Sequence, residues 1–228
     1  MNILVTGAGG LIGKNVCESL KGLHNVIRTD INNDYIKLDI TNEVEVERFF
    51  DQNKIDAVVH CAYPHTDNWG KEFFDVSYEL FSKNIELQLG GAFNIVKYAS
   101  KKFVMNGGGN IVLMGSVSGV MNPRFETYEG LEMTTPVAYS CIKSGLISLC
   151  KYAVKYLKGK NIRINVISLS GILDQQDPVF VDRYKSFCLN KGMLEVKDLN
   201  GLIHFLISDN SKYINGQNII IDDGFTLH

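Results

Sequence analysis

Short runs of branched apolar residues alternate with helix-period segments along the whole chain. "NILVT", "NVIRTD", "KIDAVVHCA", "GGNIVLMGS", "IRINVISL" and "NIIID" carry strands, being short and rich in Val and Ile. Between them "LIGKNVCESLKG", "EVEVERFFDQN", "SYELFSKNIELQLGGAFNIVKYASKKFV", "PVAYSCIKSGLISLCKYAVKYLKG" and "VKDLNGLIHFLIS" show helical spacing. The long "SYELF" segment reads as one helix, and the first helix ends near Gly22. Strands of this composition are buried on both faces, which implies a parallel sheet covered by helices on each side. Right-handed crossovers then make it doubly wound. The 228 residues contain no internal repeat, linker or low-complexity tract, so residues 1–228 are expected to form a single α/β domain.

One crossover cannot be complete. Only "INNDYIKL" separates Asp30 from Asp39. That is too short for a helix and a following strand, so the connection between the second and third strands is expected to be a loop.

The formal net charge of -2 argues against a general binder of nucleic acid or of a membrane surface, and neither partner is expected. The opening "MNILVTGAGG" runs straight into a strand and lacks the features of a signal peptide. The five cysteines are scattered, in apolar surroundings and without metal-ligand spacing. Reduced thiols, no metal and a cytoplasmic location are the expectation.

Gly7, Gly10 and Gly13 recur every third residue in "TGAGGLIGK", where the first strand passes into a helix. Small residues there let a pyrophosphate approach the backbone, and the helix start offers free N–H groups. A structural turn also uses glycine, but its place after the first strand favours a nucleotide. Asp30 closes the second strand, where a carboxylate can accept both hydroxyls of an adenosine ribose and repel a 2′-phosphate. This favours NAD over NADP, although Arg28 shares its strand face. A turn Asp is the plainer alternative for Asp30. Asp39 could approach the adenine amino group or cap the next helix, for which Thr41 is the better cap. His60 and Ala62 close the fourth strand beside the nucleotide, and a buried structural role suits His60 equally well.

"TPVAYSCIKSG" places Tyr139 and Lys143 on one helix face. The same spacing recurs at Tyr98/Lys102 and Tyr156/Lys160. Ligands of open α/β sheets bind at the carboxyl ends of the strands, and helices run away from that edge. Tyr98 and Tyr156 lie late in their helices, whereas Tyr139 lies in a first turn, so only Tyr139/Lys143 is placed for chemistry.

Together, "TGAGGLIG", the Asp30 and Asp39 pair, "SKN" ending at Asn84, Ser116 after "IVLMG", "YSCIK" and "INGQNIIIDDGF" resemble the short-chain dehydrogenase/reductase family over nearly the whole chain. "YEGLEMTTPVAYSCIKSG" is similar to its subgroup of oxidoreductases in bacterial flagellin-glycan and surface-sugar (nonulosonate-type) pathways. The resemblance implies a single-domain Rossmann fold and an NAD(P)-dependent enzyme interconverting a hydroxyl and a keto group. The implied substrate is a sugar or nucleotide-sugar, and the implied assembly a homodimer or homotetramer. The implied catalytic set is Asn84, Ser116, Tyr139 and Lys143, with Ser118 a rival to Ser116. In it Lys143 lowers the tyrosine's pKa and holds the nicotinamide ribose, Ser116 binds the substrate oxygen, and Asn84 positions a water that relays protons to Lys143. Implied cofactor contacts are Gly7, Gly10, Leu11, Ile12, Gly13, Asp30, Asp39, Ile40, Cys61, Ala62, Tyr139, Lys143 and Ile172.

The chain departs from the family pattern in four places. Leu11 stands where glycine is usual, "HCAY" replaces "NNAG", and Leu169-Ser170 replaces Pro-Gly. The stretch from Ser116 to Tyr139 is also longer, and residues about 117–135 are expected to form a substrate loop. Arg124, Tyr128, Glu129 and Glu132 there, and Tyr63, His65 and Trp69 in "YPHTDNW", are candidates to contact a polar sugar or else surface residues. A nucleotide-sugar epimerase or dehydratase would carry more C-terminal sequence. A non-catalytic nucleotide sensor or scaffold would be expected to lack the Tyr or the Lys.

Overall fold

A computed structural model describes residues 1–32 and 34–227. The strands are β1 (Asn2–Thr6), β2 (Asn25–Asp30), β3 (Ile36–Lys37), β4 (Ala57–His60), β5 (Gly109–Met114), β6 (Ile162–Leu169) and β7 (Asn218–Ile221). They form one sheet in the order β3-β2-β1-β4-β5-β6-β7. Every neighbouring pair is parallel. The order reverses between β1 and β4, so a crevice opens there at the carboxyl edge.

The helices are α1 (Leu11–Leu20), α2 (Glu43–Gln52), α3 (Tyr78–Ile85), α4 (Gly91–Asn106), α5 (Val137–Tyr156), α6 (Pro178–Ser186) and α7 (Asn200–Ile207). Alternate residues of each central strand point to opposite faces, so each strand feeds two cores. Ile3, Val5, Val59 and Val112 pack with Val16 and Leu20 of α1 and Ile203 and Leu206 of α7. Leu4, Val58, Ile111 and Leu113 pack with Phe50 of α2, Ile95 and Phe103 of α4 and Cys150 of α5. Each fully buried side chain of this size contributes about 1.5–3 kcal/mol relative to exposure.

The short crossover is as expected: β3 has two residues, and among the described residues no helix lies between β2 and β3. Three details differ from the sequence reading. The long "SYELF" helix is interrupted by a π-helical turn, Glu86–Gly90, between α3 and α4. Asn42, not Thr41, caps α2, its side chain accepting from the Glu45 N–H. Thr41 is engaged instead by Asp39, whose Oδ1 accepts from its amide at 2.9 Å and its hydroxyl at 2.7 Å. Helix α6 was not anticipated, because nine residues with mixed polarity give little periodicity. Its signals are local: Asp177 accepts from the Val179 N–H, and Pro178 opens the first turn.

Candidate active site

A cleft of about 890 Å³ runs along the carboxyl edge of the sheet. One end is built by the β1–α1 loop. Gly7 has φ +67°, and a Cβ on it would lie 2.5 Å from the Ala62 Cα. A Cβ on Gly13 would lie 2.0 Å from the Gly7 carbonyl oxygen. Glycine is therefore required at both for loop, helix and β4 to meet. Helix α1 starts at Gly10 with no side-chain cap and no acidic residue in its first turn. Its free N–H groups and positive end suit an anion. This cradle fits a dinucleotide pyrophosphate.

The Asp30 carboxylate borders the same end. It accepts from the Gly9 N–H at 2.9 Å and from the Asn32 side chain at 2.9 Å. Arg28 is exposed toward α1, where its charge reaches Cys17, and does not line the cleft. Gly7, Gly10, Leu11, Ile12, Gly13, Asp30, Asp39, Ile40, Cys61, Ala62 and Ile172 all line the cleft, as do Leu169 and Ser170. His60 does not. It is buried, and its Nδ1 lies 2.7 Å from the Thr6 hydroxyl.

At the cleft's centre Ser116, Tyr139 and Lys143 converge. Ser116 stands two residues after β5; its hydroxyl accepts from the Ser118 N–H and is near enough to the Tyr139 phenol to act on its titration. Ser118 also lines the cleft, but the hydroxyl that acts on Tyr139 is that of Ser116. Helix α5 begins at Val137, so Tyr139 lies in its first turn. Lys143 is buried one turn later and donates to the Met114 carbonyl at 2.9 Å. Burial pulls the Lys143 pKa down to about 8. Burial also raises the Tyr139 pKa, against which the Ser116 hydroxyl acts to lower it. The Lys143 ammonium gives one of its three donors to Met114 and sits 5.4 Å from the Tyr139 ring centre.

Asn84 stands apart. It is buried, does not line the cleft, and both Nδ2 donors of its side chain are engaged. Its Oδ1 accepts from the Thr66 N–H at 3.1 Å, and its Nδ2 donates to the Thr66 hydroxyl and the Leu80 carbonyl. Thr66 belongs to the "YPHTDNW" loop after β4. That loop lays Tyr63 and Trp69 edge-on against Tyr139, with ring centres 5.8 and 6.2 Å away. His65 stacks on Trp69.

The far end of the cleft is lined by Met121, Arg124, Thr127, Tyr128 and Met133 from the long loop. Arg124 donates to the Phe225 carbonyl and lies over the Phe187 and Phe225 rings. Glu129 and Glu132 are exposed and do not line it. Phe180, Tyr184, Met193 and Phe225 complete this wall and were missed from sequence. Nothing in their local pattern marks them, since helix α6 and the C-terminal turn reach the cleft only through the fold. The rival pairs lie elsewhere. The Tyr98 phenol donates to Glu43, and Tyr156 is exposed beside Tyr152.

A short-chain dehydrogenase family model described as enoyl-(acyl carrier protein) reductase matches residues 11–226. The chain belongs to the short-chain dehydrogenase/reductase family. It is an NAD(P)-dependent oxidoreductase acting on CH–OH or C=O groups. The chain is 35% identical over 250 residues to post-translational flagellin modification protein A of Campylobacter coli, covering 99% of this chain and 98% of that one. It is 27% identical to an NAD-dependent glycerol dehydrogenase of Listeria innocua, covering 98% and 93%. The fold is similar to that of a short-chain dehydrogenase from Leptospira borgpetersenii with bound NAD+, at TM-score 0.88 and 30% identity, covering 99% and 92%.

Proposed function

We propose that this enzyme uses NAD to interconvert a hydroxyl and a keto group on a sugar or nucleotide-sugar, in flagellin-glycan or surface-polysaccharide biosynthesis. The observation that carries this reading is the convergence of Ser116, Tyr139 and Lys143 midway along a cleft. One end of that cleft is a pyrophosphate cradle and the other a wall from the long loop. The full-length similarity to a flagellin modification protein supports the pathway.

The nicotinamide, when bound, supplies or accepts the hydride. Tyr139, kept protonated by burial, gives its phenolic proton to the nascent alkoxide oxygen or takes it back in the reverse direction. Ser116 holds that oxygen and steadies its charge. Lys143 supplies the positive charge that a tyrosinate would need, and its donors suit the ribose hydroxyls. Asn84 holds the loop over Tyr139 through Thr66, and the second lone pair of its Oδ1 would position the water that relays protons to Lys143. Residues 117–135 form the substrate loop. Asp30 at the ribose end supports NAD over NADP, because its charge would repel a 2′-phosphate.

Calorimetric titration with NADH and NADPH separately tests the cofactor side. NADH binding alone is expected, and NADPH preference would overturn the role of Asp30. A sugar and nucleotide-sugar screen with the bound cofactor tests the substrate side. A homodimer or homotetramer and a cytoplasmic location belong to the same reading. Phe93 on α4 and Tyr152 and Tyr156 on α5 are exposed apolar groups that a second copy would cover, and all five cysteines are free. Light scattering at micromolar concentration should give at least twice the 25.5 kDa chain mass, and a monomer mass would sink the assembly.

A further inference from the structure

Lys143 is a buried cation with no carboxylate against it among the described residues. From β4 it is faced by His60 and Cys61, from its own helix by Tyr139, and from the loop after β4 by Tyr63. All four are neutral at pH 7. Burial holds His60 down at about 3 and pushes Cys61 and Tyr139 up, and the phenol of Tyr63, a residue 40% exposed at the cleft edge, is raised by burial where its ring meets Tyr139. The ammonium has three N–H donors, and one goes to the Met114 carbonyl. What else surrounds it is aromatic. The Nζ lies 5.3 Å from the centre of the Tyr63 ring and 5.4 Å from that of Tyr139, and the two ring centres are only 5.8 Å apart, so both rings lie on one side of the cation.

The Tyr63 ring is held in place by more than chance packing. His65 and Trp69 flank it with ring centres at 5.6 and 6.0 Å. Three residues on, Thr66 is tied to the buried Asn84 through both its amide and its hydroxyl. The loop is thus pinned to α3 on one side and lies against Tyr139 on the other. Tyr63 stands where the family pattern has glycine, so no family role covers it.

We propose that Tyr63 is a positioning residue of the reaction centre, its ring face holding the Lys143 ammonium beside Tyr139 in place of a carboxylate partner. This rests on the reading that Lys143 serves Tyr139. It predicts that the aromatic face, and not the Tyr63 hydroxyl, matters to the lysine. Removing the ring without admitting water should make the ammonium easier to deprotonate.

The test is an NMR titration of the full chain labelled at lysine 13Cε, with the Lys143 signal assigned by its loss in Lys143→Arg. Wild type and Tyr63→Phe should titrate together. Tyr63→Leu should titrate lower by about half a pH unit or more. An unchanged midpoint in Tyr63→Leu would overturn the proposal, and so would a higher one, which would mean that the ring only excludes water. Tyr63→Met serves the same comparison where the leucine variant does not fold, with melting curves recorded for each. The titration uses no substrate, so a sugar screen without turnover would count against the substrate reading and leave this assignment to its own result.

Discussion

Tyr139 and Lys143 show how one spacing acquires meaning from its surroundings. Tyr98 and Lys102 have the same separation, yet the buried Tyr98 bonds Glu43 and Lys102 reaches the Asp51 carbonyl, where α4 packs on α2. Only the pair in the first turn of α5 meets Ser116. If Tyr139 carries the proton, Tyr139→Phe should lower kcat/KM by about 10² to 10⁴-fold while NADH affinity stays near wild type. Steady-state kinetics and calorimetry on the same preparation check both. Lys143 sets a second expectation. Its pKa of about 8 means that it is charged below that pH and neutral above it. Carbonyl reduction should therefore fall as pH rises through about 8, and a kcat/KM profile between pH 6 and 10 would show a flat alkaline limb if the lysine charge is irrelevant. The sign of the tyrosine shift was not legible in the sequence. Spacing tells that a cation is one turn away, but burial of both groups decides which form of each is favoured.

The loop after β4 couples two elements. Its contact with α3 runs through Thr66 and Asn84, and its contact with α5 through Tyr63, Trp69 and Tyr139. Thr66→Val removes one buried hydrogen bond, costing about 1 kcal/mol, and loosens the aromatic rings over Tyr139. Trp69 is the sole tryptophan, so its fluorescence reports this loop directly. The variant should show red-shifted emission, stronger acrylamide quenching and reduced turnover. Unchanged emission would place the loop's rigidity elsewhere. Both long helices at the site were readable from periodicity, yet the π-helical turn at Glu86–Gly90 was not. One extra residue in a turn leaves the apolar pattern almost unaltered, and only backbone hydrogen bonding reveals it.

The whole molecule is organised about its central strands, and β4 ties the sheet to the cleft. All four of its residues are buried, including His60. In the folded protein burial lowers the His60 pKa to about 3 from an ordinary 6.5. The unfolded chain therefore binds more protons between these values, and stability is lost as pH falls from 6.5 toward 3. Melting temperatures at pH 7, 6 and 5 should decline for wild type, with a smaller slope in His60→Gln. Equal slopes would assign the acid sensitivity to other groups. The same packing explains why the far wall of the cleft escaped sequence reading. Phe180, Tyr184 and Phe225 come from two distant segments that meet in a small core of their own with Val117, Met121 and Tyr128 of the long loop.

Read alone, the sequence settles what depends on local chemistry and on period. Val- and Ile-rich runs interleaved with helical spacing require a parallel sheet, because such strands need cover on both faces. The eight residues between Asp30 and Asp39 forbid a crossover helix, and the glycines mark where backbone must approach backbone. The tertiary structure decides what depends on distance and solvent. It brings Ser116 to Tyr139, turns the Asn84 side chain to Thr66, and sets Tyr63 over Lys143. These relations join segments far apart in the chain, and they depend on a low-dielectric interior that exists only once the sheet and its helices have closed around them.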